Sequence, residues 1–133
     1  MKMKQLTAGM IALVMSMSLP MTTYAADWDL ENGSITVDAG DSGQTVTQQG
    51  STPKQDDAPV ITQSSAETSN TITINASENA TANVTISNVN INTGSESKAA
   101  IATSGQGNVN IELDGTNTLK SGSGHAGLGK SIG

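Results

Sequence analysis

The chain of 133 residues has no cysteine, no phenylalanine and no arginine, and its aromatic content is 2%, one Trp and one Tyr. Each absence removes a class of function. Without Cys there is no disulfide framework, so stability rests on packing and hydrogen bonds. Without Arg there is no guanidinium fork for phosphate or carboxylate. Six Lys stand against twelve Asp and Glu, a formal charge of −6. Such a chain repels phosphate backbones, so nucleic acid is not an expected partner. The lone His125 has no second His for a metal site or a catalytic pair. It is read as a solvated turn residue.

What is present begins with an export signal. Lys2 and Lys4 precede the apolar run MIALVMSMSL at 10–19, which Pro20 ends. Thr23 and Ala25 are the small residues that a signal peptidase requires, so cleavage is expected after Ala25. The run falls short of the roughly 20 residues that span a bilayer. A secreted or cell-surface protein follows, with no membrane span in the mature chain. Removing 1–25 takes away all six Met and Tyr24. Trp28 is left as the sole aromatic residue. Twelve acids then face Lys54, Lys98, Lys120 and Lys130, a formal −8. The core has to be aliphatic, and there is room for one small domain.

Self-similarity points to the fold. NVTISNVNI at 83–91 resembles NVNIELDGTNTL at 108–119. Val84 and Ile86 align with Val109 and Ile111, Ile91 with Leu119, Gly94 with Gly122, and Ile101 with Leu128. A weaker copy starts at Pro59-Val60-Ile61 and runs through TITI at 71–74. Within each copy apolar and polar residues alternate with period two, the strand signal. Gly, Ser, Asn and Asp occupy the gaps as turn formers. NASENATAN at 75–83 reads as a connecting loop. AGDSGQTVTQQGSTPKQDD at 39–57 is polar and carries Pro53, which favours a loop or a disordered stretch. The expected fold is all-β, a right-handed parallel β-helix whose coils stack Val on Val and Ile on Ile, incomplete at its C-terminal end. Its parts are 26–57 as N-terminal strand, cap and polar loop, and 58–133 as coils. Trp28 is expected to cover the open N-terminal end.

WDLENGSITV, NVTISNVNI and NVNIELDGTNTLKSGSGHAGL, in that order, resemble exported bacterial proteins with parallel β-helix repeats. That family is described as carbohydrate-binding or pectate-lyase-like surface proteins. The most specific stretch is DGTNTL followed by a Gly/Ser turn and AGL. In that family further Gly-rich coils follow AGL. The resemblance therefore implies the N-terminal part of a longer protein, a parallel β-helix fold and an extracytoplasmic location, without one settled activity.

GHAGLGKS at 124–131 fits the phosphate-loop pattern G-x-x-x-x-G-K-[ST] letter for letter. That chemistry needs a buried strand before the loop and a helix after it, whose N-terminus meets the phosphates. A polar turn, LKSGSG, precedes it here, and Leu128 aligns with an inward strand residue. No nucleotide site is expected, and Gly122, Gly124, Gly127 and Gly129 are read as turn glycines. No metal site is expected either: Asp56-Asp57 and Asp38/Asp41 read as solvated loop acids. Glu112 and Asp114 share one strand face with Leu113 pointing inward between them, a solubilising pattern. No catalytic group or cofactor is expected. The outward polar residues Thr85, Asn88, Asn90, Asn110 and Thr118 are the candidate ligand-binding set. They suit repetitive hydrogen bonding to a polysaccharide or cell-surface glycan. The expected function is a non-catalytic adhesive or carbohydrate-binding module. The alternative is the leading part of a polysaccharide lyase or hydrolase with catalytic coils beyond Gly133.

Overall fold

The computed structural model describes residues 26–131. The expected export signal, 1–25, lies outside the described residues, as do residues 132–133. The protein is all-β. Twelve short strands and one 3₁₀ turn make up the regular structure of the described residues. No helix among the described residues is long and apolar enough to cross a membrane.

The strands form three sheets. The first sheet contains β1 (Asp27–Asp29), β5 (Val60–Thr62), β7 (Thr81–Ser87) and β10 (Asn108–Asp114), in the order β1-β5-β7-β10, every neighbouring pair parallel. The second pairs β8 (Asn90–Asn92) with β11 (Thr118–Lys120), again parallel. The third contains β2 (Ile35–Gly40), β3 (Gly43–Gln48), β4 (Lys54–Gln55), β6 (Ile72–Ala76), β9 (Ile101–Ser104) and β12 (Leu128–Lys130). Its order is β12-β9-β6-β2-β3-β4. From β2 to β12 this sheet is parallel, but β2-β3-β4 is an antiparallel meander, so the sheet is mixed. The chain visits the third, first and second sheets in turn as β6, β7 and β8, then again as β9, β10 and β11.

Alternation decides which face each strand buries. β6 places Ile72, Ile74 and Ala76 inward and Thr73 and Asn75 outward. β7 does the same with Ala82, Val84 and Ile86. Parallel register then aligns like with like. Ile35, Ile72, Ile101 and Leu128 are successive partners across the third sheet, and Trp28, Ile61, Ile86 and Leu113 across the first. Leu30, Val37, Ala39, Val46, Val89, Ile91 and Ala100 complete the buried cluster. A fully buried Ile contributes about 1.5–3 kcal/mol by area, as an upper estimate.

Burial fades towards β10, β11 and β12, which have no strand beyond them among the described residues. Ile86 is 0% exposed, while its partner Leu113 is 63% exposed, and Leu128 is 50% exposed. Val109, Ile111 and Leu119 are half-buried against the core. Leu113 therefore lies in the inward row, as the alternation requires, but nothing covers it.

Amide side chains tie the sheets together where strands do not meet. Gln44 donates from Nε2 to the carbonyls of Asp56 (2.9 Å) and Asn83 (3.0 Å) and accepts from the Asn83 N–H (2.8 Å). Gln63 grips both backbone groups of Asn90 in the same way. Asn117 accepts from the Val89 N–H and donates to the Ile86 carbonyl. Each amide reproduces the donor and acceptor of a missing strand residue, which satisfies backbone groups that are buried or partly buried.

Several expectations change. Val84 pairs with Ile111, and Ile86 with Leu113, so the alignment to Val109 and Ile111 is displaced by two residues. Ile91 with Leu119 and Ile101 with Leu128 pair as aligned. Segment 39–57 is mostly the β2-β3-β4 meander, not a loop. Val46 and Gln44 anchor it inward, and Ser51 closes the next turn on Gln48. Segment 75–83 is strand at both ends, with a turn over Ser77–Ala80. Of the four glycines in the 122–129 stretch, only Gly124 has left-handed φ, +83°. Gly122 is needed for a different reason: a Cβ there would lie 1.7 Å from the Glu96 carbonyl oxygen.

Asp29 starts the 3₁₀ turn Leu30–Asn32, its carboxylate accepting from the Glu31 N–H (3.0 Å) and the Ser64 N–H (3.1 Å). These donors, Glu31 first, hold its carboxyl below the usual 3.8. A lowered folded-state pKa stabilises the fold above the usual value, and that contribution disappears as pH falls through the folded value. Asp29→Ala is expected to cost about 1 kcal/mol at pH 7. The deficit should shrink in acid, as thermal melts at neutral pH and at a pH below the usual carboxylate value would register.

Candidate functional site: a polar ladder on the first sheet

The same alternation that buries Val84 and Ile86 turns Asn83, Thr85 and Ser87 outward on β7. On β10 it turns Asn110, Glu112 and Asp114 outward. Parallel register sets them opposite each other: Asn110 beside Asn83, Glu112 beside Thr85, Asp114 beside Ser87. All three pairs are within hydrogen-bond reach. Asn110 Nδ2 donates to Asn83 Oδ1 at 2.9 Å, Thr85 Oγ1 to Glu112 Oε1 at 3.4 Å, and Ser87 Oγ to Asp114 Oδ2 at 3.5 Å. The result is a polar face of amides, hydroxyls and carboxylates at the strand spacing of about 4.8 Å. A related pair sits on the third sheet, where Asn75 Nδ2 donates to Asp38 Oδ1 (2.7 Å) and Asn75 Oδ1 accepts from the Ser104 hydroxyl.

The structure divides the five candidate residues. Thr85 and Asn110 belong to the first-sheet ladder. Asn90 and Thr118 are partners on the second sheet. Asn88 lies between them, in the left-handed region at φ 54°. Its Oδ1 accepts from the Thr116 N–H (3.0 Å), so its amide holds the neighbouring turn. The Asn90 amide is likewise engaged, donating to the Ala66 carbonyl (2.6 Å). Asn83 and Ser87 complete the ladder and were not singled out from sequence. Their signal was available: they are the polar positions either side of Thr85 in a period-two strand.

The acids do not converge. Among the described residues no three His, Cys, Asp or Glu side chains come together as a metal site. Glu112 and Asp114 sit side by side on an exposed face, as expected. Asp56 departs from expectation. It is 1% exposed, and its Oδ2 accepts from Trp28 Nε1 at 2.8 Å. Trp28 is half-buried against the core, on the edge strand β1, with its indole N–H committed to that bond. This leaves the ring less free as a sugar-stacking platform.

At 124–131, Leu128–Lys130 is a strand paired with β9, and Lys130 Nζ donates to the Gly105 carbonyl (3.0 Å). A surface depression of about 640 Å³ beside it includes Lys98 and the exposed His125. Lys98 is already paired with Glu96 at 3.2 Å. Among the described residues the arrangement places hydrogen-bonding groups in rows on open β surface. Comparisons with protein-family models, curated proteins and solved structures return no match.

Proposed function

We propose that this chain is an extracytoplasmic, non-catalytic module of right-handed parallel β-helix type that binds polysaccharide or cell-surface glycan. One observation carries the binding reading: the in-register polar ladder Asn83–Asn110, Thr85–Glu112, Ser87–Asp114 on an open sheet face. A row of donors and acceptors repeated from strand to strand suits a polymer with its own repeat. Each contact is weak, and affinity grows with the number engaged. The β-helix reading is supported by the order in which the chain revisits its three sheets and by the parallel Ile–Ile rows. The export reading rests on residues 1–25. A second reading, the leading part of a polysaccharide-degrading enzyme, requires further coils, which the uncovered Leu113 and Leu128 would accept.

A glycan array and a polysaccharide-degradation assay on one preparation test this. The expected outcome is binding without degradation. The double variant Thr85→Ala, Asn110→Ala should weaken that binding about tenfold or more, since two hydrogen-bonding side chains are lost, while lowering the melting temperature by only a few degrees for the exposed cross-strand pairs removed. Degradation of any polysaccharide, or an array with no signal, would overturn it.

A further inference from the structure

Asp56 is a buried carboxylate without a cationic side chain beside it. The only ion pair among the described residues is Lys98–Glu96. Three neutral donors surround Asp56: the Trp28 indole and the Ala26 N–H on Oδ2 (2.8 and 3.2 Å), and the Ala58 N–H on Oδ1 (3.1 Å). A buried carboxylate is costly unless its charge is matched. One of its donors is singular. Ala26 is the residue that follows Ala25, the expected cleavage point. Ala26 is also fixed in place, since its carbonyl accepts from the Val60 N–H at 3.0 Å.

We propose that cleavage after Ala25 supplies the missing charge: the new α-ammonium of Ala26 forms an ion pair with Asp56. Water, delivered by a signal peptidase, adds across the Ala25–Ala26 peptide bond. Ala25 leaves as a carboxylate and the Ala26 nitrogen becomes an amine, protonated at neutral pH. The nitrogen that was a neutral donor at 3.2 Å becomes a charged one, and charge-assisted bonds are about twice as strong. The partner is part of the fold's N-terminal closure. Asp56 joins the chain start, the Trp28 ring and, through its backbone N–H to the Gln44 carbonyl, the meander. Processing thereby tightens the end of the molecule that β1 and β4 border. This inference depends on the cleavage site and is independent of glycan binding.

The experiment compares three forms of the chain: starting at Ala26 with a free amine, the same form N-acetylated, and one extended by a single N-terminal glycine. Each is made with Asp56 and with Asp56→Asn. Acetylation removes the charge with little added bulk, and the extension moves it. The expected result is a melting temperature about 5 °C or more higher for the free Ala26 amine than for either altered form. That difference should vanish in the Asp56→Asn background, which keeps the shape and loses the charge. Sequencing of the exported protein should return Ala26 as its first residue. Equal melting of all three Asp56 forms would overturn the proposal. So would an equal loss in both backgrounds, which would mark a steric effect, or a different first residue.

Discussion

Ile86→Asp is expected to abolish the cooperative unfolding transition, while Leu113→Asp leaves it nearly intact. The two residues are register partners on adjacent strands of one sheet, and period-two alternation assigns both to the inward row. They differ in cover. Ile86 is 0% exposed and Leu113 is 63% exposed. At Ile86 the substitution deletes a packed side chain, worth about 2–5 kcal/mol when truncated. It also forces in a charge with no partner, adding several kcal/mol. The sum reaches the whole stability of a small domain, about 5–15 kcal/mol. At Leu113 the new carboxylate stays in water, and a change within about 1 kcal/mol is expected. Ile111→Asp should fall between, because Ile111 is half-buried. Urea melts followed by circular dichroism would rank the three. Equal losses at Ile86 and Leu113 would mean that β10 is covered in solution.

Gln44→Leu should cost about 3 kcal/mol with little change in volume. The side chain is 4% exposed and makes three hydrogen bonds to backbone groups of two distant segments. Leucine fills the space but leaves the Asn83 N–H and the Asp56 and Asn83 carbonyls without their partner. Each buried orphan costs about 1–3 kcal/mol, less where water reaches it, as at Asn83. Gln44→Glu separates shape from chemistry. It retains the acceptor for Asn83 but turns an anion towards two carbonyl oxygens, so it should be no more stable than Gln44→Leu at neutral pH. Faster amide hydrogen exchange at Asn83 in both variants would locate the defect. Wild-type stability in either would refute the role assigned to Gln44.

Strand content and the pairing of Ile91 with Leu119 and Ile101 with Leu128 were legible because aliphatic alternation survives in single sequences. The register of β7 against β10 was not. Letter matching set Val84 on Val109, whereas Val84 pairs with Ile111. A slip of two residues keeps every side chain on its own face, so alternation does not discriminate between them. The meander was missed because it carries few aliphatic residues. Gln44 fills an inward position by hydrogen bonding, which a hydrophobic pattern does not register. Asp56 was misread for the same reason: its burial depends on donors from Ala26, Trp28 and Ala58. At the ladder, residue types were visible but partners were not. The pairings Asn83–Asn110 and Thr85–Glu112 follow only once the register is known.

The β2-β3 hairpin gives the molecule a direction of assembly. Its strands are joined by a two-residue turn, Asp41-Ser42, between the paired Gly40 and Gly43. Hairpins form in about 1–10 μs without waiting for distant chain. The parallel pairings, in contrast, join segments far apart in sequence, and each requires a long loop to close first. A chain made N-terminus first therefore has one piece ready before the rest exists. β2 then offers its free edge as a template for β6, β6 for β9, and β9 for β12. Growth is expected to proceed like a zipper with a fixed starting tab, so a break in the hairpin should delay every layer added after it.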